Sequence, residues 1–277
     1  MNKILAFSLI IFSLGACTEN RPDYQLLGPT DSERSILVEE FSGALCPNCP
    51  QGTQELQNLK SIYGSSLIIV TIHAGDFAFQ YDNSKFDFTT PEGDELLQFL
   101  GNPIGYPSAV VNRKRPDGQS GFQSFSSKWG SLISDEISKM QQIGLSIDIN
   151  FEPSSRDLQA TIVVIPFENI GLPTRLTVLI KEDNIVDPQA DRSVENGKVE
   201  DYVHKNVLRT MITEFQGDLL ADRLVAFDNL EKSYRYSIPD DSAGWWKVED
   251  LSLVAFISKS NGEDIAVIQA AEKKIMF

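Results

Sequence analysis

Cys46-Pro47-Asn48-Cys49 is the feature that most restricts how this chain can fold. It follows the apolar run Ile36-Leu37-Val38 and precedes a helical stretch, so both thiols fall at a strand-to-helix turn. Two thiols three residues apart at the start of a helix can face each other and close a small ring. The helix N-terminus carries partial positive charge and stabilises a thiolate there. A redox dithiol is therefore expected, with Cys46 at the helix start as the more exposed sulfur of lower pKa and Cys49 a turn inside. The same spacing also suits half of a zinc site or an inert structural disulfide. Zinc takes four ligands, or three and a water, and the two histidines, His73 and His204, lack paired spacing. The sequence assigns no metal ligand set and no cofactor.

The third cysteine, Cys17, closes the segment Leu14-Gly15-Ala16-Cys17. Ahead of it stand a basic start, Met1-Asn2-Lys3, and an apolar run of eleven residues from Ile4 to Leu14. That run is shorter than the ~20 residues of a transmembrane helix and fits the core of an export signal. Its end resembles the lipobox of bacterial lipoproteins. The resemblance implies cleavage before Cys17 and acylation of Cys17, and more than one acyl chain anchors firmly to membrane lipid. The alternative is an ordinary signal peptide with a stray cysteine. Thr18 follows in place of an aspartate, which leans toward an outer-membrane location, its face unresolved. No later segment is apolar for long enough to span a bilayer.

With Cys17 acylated, one intramolecular disulfide remains possible, too few for a fold stapled by disulfides. A formal net charge of −15 repels phosphate backbones, so nucleic acid is not an expected partner. The chain of 277 residues is long enough for two ordinary domains after a leader. Residues 1–16 read as a lipoprotein signal peptide, and residues 17–34, with Pro22, Gly28 and Pro29, as a flexible tether.

Residues 35–142 alternate strand and helix. Ile36 to Phe41, Leu67 to His73 and Ser108 to Asn112 are strand candidates. Gln51 to Tyr63 carries Leu56, Leu59 and Ile62 at helical spacing, and Ser127 to Met140 carries Trp129, Leu132, Ile133, Ile137 and Met140. Glu92 to Leu100 is a shorter helix. That order implies an α/β layer. Near Gly144 the period changes: Leu145, Ile147 and Ile149 alternate with Ser146, Asp148 and Asn150. Further strands are expected at 160–165, 175–180, 251–258 and 264–271, the last two flanking an Asn261-Gly262 turn. Residues 143–277 thus read as an antiparallel β-sandwich, and a fragment ending near Ile143 is expected to fold alone. Asp187 to Asp201 reads as a solvated acidic loop.

Glu39-Glu40-Phe41-Ser42-Gly43-Ala44-Leu45-Cys46-Pro47-Asn48-Cys49-Pro50 resembles the active-site stretch of thioredoxin-like proteins. The resemblance implies that Glu40 is a buried acid exchanging a proton with Cys49. A strand-end charge is the other reading of Glu40. Gly105-Tyr106-Pro107-Ser108 resembles the cis-proline segment that faces the dithiol and shapes a substrate groove. The tryptophan usual before the first cysteine is Leu45 here.

The whole chain resembles the outer membrane protein twenty-eight-related lipoproteins. The lipobox, Val38-Glu39-Glu40-Phe41, the segment Tyr106-Pro107-Ser108-Ala109-Val110-Val111-Asn112-Arg113, and Tyr202-Val203-His204-Lys205-Asn206-Val207-Leu208-Arg209 carry the likeness. It implies α/β plus all-β architecture, with a thioredoxin-like N-terminal domain followed by an antiparallel immunoglobulin-like β-sandwich. The aromatics Phe77, Phe79, Tyr81, Phe86 and Phe88 suit a wall beside the dithiol or the packing of one half on the other. His73 suits a thiolate contact or a packing role.

Two functions fit. One is envelope thiol–disulfide exchange on exported proteins, with Cys46 attacking, Cys49 resolving, Glu40 moving the proton and Pro107 shaping the groove. The other is a non-catalytic surface lipoprotein with a fixed Cys46–Cys49 bridge, whose sandwich binds a partner.

Overall fold

The structure, a computed structural model, describes residues 34–240 and 246–276; Cys17 and the leader lie outside them. The first half runs β1 (Ile36–Ser42), α1 (Cys49–Tyr63), β2 (Leu67–His73), α2 (Pro91–Leu100), β3 (Ser108–Val111) and α3 (Ser126–Ile137). β1 and β2 pair in parallel from Ile36 with Leu67 to Ser42 with His73, and β3 pairs antiparallel to β1. Every residue of β1 and β2 is buried, as expected of strands covered on both faces. On one face Ile36, Val38 and Ile69 meet Leu56 of α1 and Trp129 and Ile133 of α3. Ile62 and Met140, expected on the packed helix faces, are 72% and 87% exposed. α1 lies flat on the sheet by a narrow stripe, and α3 ends before Met140.

Apart from a short 3-10 turn at Val248–Asp250, the regular elements described in the second half are strands: β4 (Ile143–Glu152), β5 (Asp157–Pro166), β6 (Thr174–Glu182), β7 (Ile185–Ala190), β8 (Lys198–His204), β9 (Val207–Met211), β10 (Asp218–Ala221), β11 (Leu230–Ser237), β12 (Leu251–Lys259) and β13 (Val267–Lys274). A three-stranded sheet, β11-β5-β4, faces β6, β12 and β13 across Ile147, Ile162, Val164, Val178, Leu253 and Ile257. Alternation along β4 and β5 follows from this, since one face meets the core and the other water. The molecule is mostly β, with mixed and antiparallel sheets and few helices.

The main sheet does not stop where the period changes. Its order is β13-β12-β6-β9-β2-β1-β3, with β10 also on β6, so strands of both halves lie side by side. The junction is β9 on β2, parallel, through Thr71 and Val207. One apolar cluster holds Leu37, Phe41, Ile68 and Val110 together with Leu179, Leu208, Val254, Phe256 and Val267. Buried polar groups cross the same junction. Arg113 donates from Nε and Nη2 to the Glu39 carboxylate at 2.9 and 2.7 Å, with its guanidinium 4.8 Å from the Phe256 ring centre. Lys181 Nζ donates to the Ile69 carbonyl at 3.0 Å and pairs with Glu272 at 2.8 Å. Asn112, at φ 48°, donates its side-chain amide to Glu136, accepts from Leu37 N–H at its own Oδ1, and accepts from Val267 N–H at its carbonyl. The Asn112-Arg113 motif is therefore a structural joint.

Candidate functional site

β1 ends at Ser42, residues 43–48 turn, and α1 begins at Cys49. Cys46 and Cys49 are bonded to each other, with Cα atoms 5.4 Å apart. Two close approaches fix the turn. A side chain at Gly43 would strike the Phe77 carbonyl, which accepts from Leu45 N–H at 3.0 Å. A Cβ at Gly52, in the first turns of α1, would lie 2.4 Å from Pro107 Cγ. Glycine at 52 thus lets the Pro107 ring rest against the helix that carries the dithiol. The Tyr106–Pro107 peptide bond is cis, and the Tyr106 hydroxyl donates to the Ala74 carbonyl at 2.8 Å.

Glu40 is fully buried beneath this turn. Thr71 Oγ1 donates to it at 2.9 Å and Thr53 Oγ1 at 3.2 Å. Burial pushes its pKa up to about 7, although the Thr71 and Thr53 hydrogen bonds pull it back. Thr53 stands four residues after Cys49, on the same face of α1, so the carboxyl lies under the face that carries the second sulfur.

The expected exposure of Cys46 is not seen: Cys46 and Cys49 are each 1% exposed. The cover comes from the second half. Residues 187–201, expected as a solvated loop, are instead largely the β7–β8 hairpin, closed through Gly197 at φ 67°. Gln189 Nε2 donates to the carbonyls of Gly43 at 3.1 Å and Cys46 at 3.0 Å. Ala190 N–H donates to Ala44 O at 2.8 Å, and Arg192 N–H to Pro47 O at 3.0 Å. Arg192 Nη1 also donates to Asn48 Oδ1 at 2.8 Å, so the helix-capping position serves the hairpin rather than its own helix. The hairpin lies along the cysteine turn like an added strand.

An aromatic and imidazole cluster holds the hairpin base. His204 packs at a tilt against Phe88, 4.5 Å away, and lies 5.7 Å from His73, ring centre to ring centre. His204 Nε2 donates to the Asp187 carbonyl at 3.2 Å. Burial holds His204 down at about 4 and His73 well below the usual imidazole range, so both are neutral at neutral pH. The Asp187 carboxylate accepts from Lys85 and Phe86 N–H groups. Phe86 and Phe88 pack with Ile185 and Val207 between the halves, whereas Phe77 and Phe79 are exposed. Tyr202, on β8, comes within reach of Thr53, and its phenol is pushed up to about 12 by burial and by the nearby Glu40.

Of the expected site residues, Cys46, Cys49, Glu40 and Pro107 are gathered around the first turns of α1, and Cys17 lies outside the described residues. Sequence reasoning missed Gln189, Arg192, Thr53 and the part played by Tyr202. One signal was present: Asn196-Gly197 is a hairpin-turn dipeptide. Among the described residues no group of three or more His, Cys, Asp or Glu side chains is set to hold a metal. No described helix is long and apolar enough to cross a membrane.

Fold and site together define a class: mostly β proteins in which a covered cystine at a strand-to-helix turn meets a hairpin from the all-β half. The chain belongs to the family described as Outer membrane protein Omp28, which matches residues 101–276. HBP35 of Porphyromonas gingivalis is similar in structure, with a TM-score of 0.65 and 18% identity over 88% of this chain and 76% of that one. A structural-genomics protein of Agrobacterium tumefaciens is similar at a TM-score of 0.50 and 12% identity, over 86% of this chain and 92% of that one. At these identities the likeness concerns fold alone. Among curated proteins, none matches the chain significantly.

Proposed function

We propose that this is a lipid-anchored envelope protein whose Cys46–Cys49 pair exchanges thiols for disulfides with exported proteins. The observation that carries the reading is the fully buried Glu40 carboxyl, bonded to Thr53 one helical turn beyond Cys49. A cystine that only braced the fold would have no use for an acid that costs free energy to bury. The parallel β1–α1–β2 unit, the antiparallel β3 and the Pro107 ring on Gly52 support a thioredoxin-like half, residues 35–142. The two facing sheets support an immunoglobulin-like half, residues 143–277. Family membership supports a place at the outer membrane, and Cys17 supplies the anchor.

In this reading Cys46 attacks and Cys49 resolves. With both cysteines covered, a protein substrate reaches Cys46 only after the hairpin moves off residues 43–48. That same cover favours the second reading, a fixed bridge in a non-catalytic surface lipoprotein. A redox titration of the mature protein separates the two. A potential between about −270 and −120 mV suits exchange, and one below about −300 mV marks a structural bridge. In cells, Cys49→Ser should trap exported partners as mixed disulfides. A Cys49→Ser protein that traps none, together with a bridge that resists reduction, leaves the scaffold reading standing. For the anchor, Cys17→Ser should move the protein out of the detergent phase; native material with an unlipidated N-terminus elsewhere overturns it.

A further inference from the structure

At the end of β1 opposite the cysteine turn lies a pocket of about 400 Å³, where the two halves meet. Four cations line it: Arg34, Lys114, Lys139 and Lys259. Three of them converge on one carboxylate. Arg34 pairs with Glu136 at 3.1 Å and Lys114 at 2.9 Å, and Lys139 pairs with it too. Lys259 pairs with Asp264 at 3.0 Å. An ammonium has three donors, and each of these lysines shows one bond to a carboxylate, so donors remain for an incoming anion. The four cations stand against Glu136, Asp264 and Glu168, a positive balance in a chain whose formal net charge is −15. The lip is apolar. Met140 is almost wholly exposed, and Phe167 is exposed at the edge. Phe227, 74% exposed, holds its backbone at φ 62°, and its N–H donates to the Pro166 carbonyl at 2.8 Å, beside Phe167. A bulky residue in the left-handed region is rare, and here the ring it carries faces water.

Arg34 points to what covers this face. Residues 17–33, read from the sequence as the tether from Cys17, join the fold there. The Arg34 guanidinium is tied down by donation to the Glu136 and Ile268 carbonyls, both at 2.9 Å. In the lipid-anchor reading, the anchored chain therefore enters through the wall of the pocket. We propose that this face docks on the membrane, with the basic pocket taking the phosphate of an acidic lipid headgroup and Met140, Phe167 and Phe227 pressing into the interface. The inference rests on the anchor at Cys17 and goes beyond it, since a tether alone fixes no orientation.

Charge and distance both favour the arrangement. At physiological salt a charge is screened beyond about 8 Å, so headgroups meet the local lysines rather than the acidic bulk of the chain. Each lysine near an acidic surface strengthens binding about fivefold. A linker of seventeen residues holds the patch at an effective concentration on the order of millimolar. A patch too weak to collect the free protein therefore still orients the anchored one. The orientation has a consequence for the site. Arg34 precedes β1 and the cysteine turn follows it, seven residues or roughly 23 Å further on. α3 agrees: the Phe125 ring before it lies against Gly105, next to the cis-proline segment, and Met140 follows its other end. Docked by the pocket, the protein turns the cysteines and the β7–β8 hairpin away from the lipid.

The test uses the oxidised mature chain from Cys17, with Cys46 and Cys49 bridged, coupled through the Cys17 thiol to a maleimide lipid. The vesicles are phosphatidylcholine alone or phosphatidylcholine with phosphatidylglycerol, and acetylation of each lysine is read by mass spectrometry. On acidic vesicles Lys114, Lys139 and Lys259 should react about tenfold more slowly than on neutral ones. Lys85 and Lys205, exposed on the hairpin side, should react equally on both. Lys139→Gln with Lys259→Gln leaves Arg34 and Lys114 on Glu136, and should return Lys114 to its rate on neutral vesicles. Equal rates for the wild-type pocket lysines on the two kinds of vesicle overturn the docking, whatever the variant does. Protection spread equally over Lys85 and Lys205 overturns it too, because it shows no preferred face. Inorganic phosphate that protects the same lysines as well, without vesicles, assigns the pocket to a free anion and overturns the lipid. Native protein without lipid on Cys17 strikes the anchor and the docking together, whereas unprotected lysines on acidic vesicles strike the docking alone.

Discussion

Glu40 and the two histidines act on stability in opposite senses. Glu40 keeps its proton in the folded protein up to about pH 7, while in the unfolded chain it ionises near 4.5. Its contribution is full below 4.5 and is lost as pH rises through 7. His204 is depressed to about 4, so its contribution is present above 6.5 and is lost as pH falls toward 4. His73, also held down by burial, acts in the same sense as His204, so two histidine arms outweigh one and the wild-type urea midpoint should rise from pH 5 to 7. Glu40→Gln removes the opposing arm and should steepen that rise; an unchanged slope shows that Glu40 is not raised. At this scale the sequence was legible wherever function is local. Cys46, Cys49, Glu40 and Pro107 sit at fixed offsets from one turn. Gln189 and Arg192 reach that turn across more than 140 residues of chain, which no local spacing encodes.

At the level of elements, the β7–β8 hairpin decides whether the dithiol is open. Its polar residues hid it from a reading based on apolar period, because β8 stands largely at the surface and buries little beyond His204. What holds it on the cysteine turn is hydrogen bonding from Gln189, Ala190 and Arg192 rather than apolar area. A buried hydrogen bond is worth about 1 kcal/mol net. Gln189→Ala removes two to the turn, about 2 kcal/mol together, so the reduced protein should be alkylated at Cys46 about 30-fold faster, with the overall unfolding midpoint little changed. Equal alkylation rates would mean that the hairpin does not limit access. The strands and helices that were legible, β1, α1, β2, β4, β5 and β12 among them, each bury a continuous face. That is the property periodicity reports.

The whole molecule raises the question of whether its halves are separable. The change of period at Gly144 marks where packing style changes, from strands sandwiched by helices to sheets facing each other. It does not mark an edge of the main sheet, because β9 pairs with β2 and β6 pairs with β9. Register between distant strands is set by cross-strand fit and leaves no local trace, so this joint was not legible. Its energetic weight follows from Arg113 and Glu39, each 1% exposed, with Phe256 of the second half against the guanidinium. Removing one partner of a buried ion pair costs about 3–5 kcal/mol, because the other charge is left uncompensated. Arg113→Leu should therefore lower stability by about that amount, and adding Glu39→Leu should recover part of it. A fragment of residues 34–142 meets the same problem more severely. It would leave Glu39 paired but expose Leu37, Phe41, Ile68 and Val110 where Leu179, Leu208, Val254 and Phe256 now cover them. It would also leave β2 as a bare edge, which invites aggregation. The fragment should show little cooperative unfolding by circular dichroism on its own, and co-expression with residues 143–277 should rescue it. A fragment that unfolds cooperatively alone would show that the shared sheet is a docking of two finished domains.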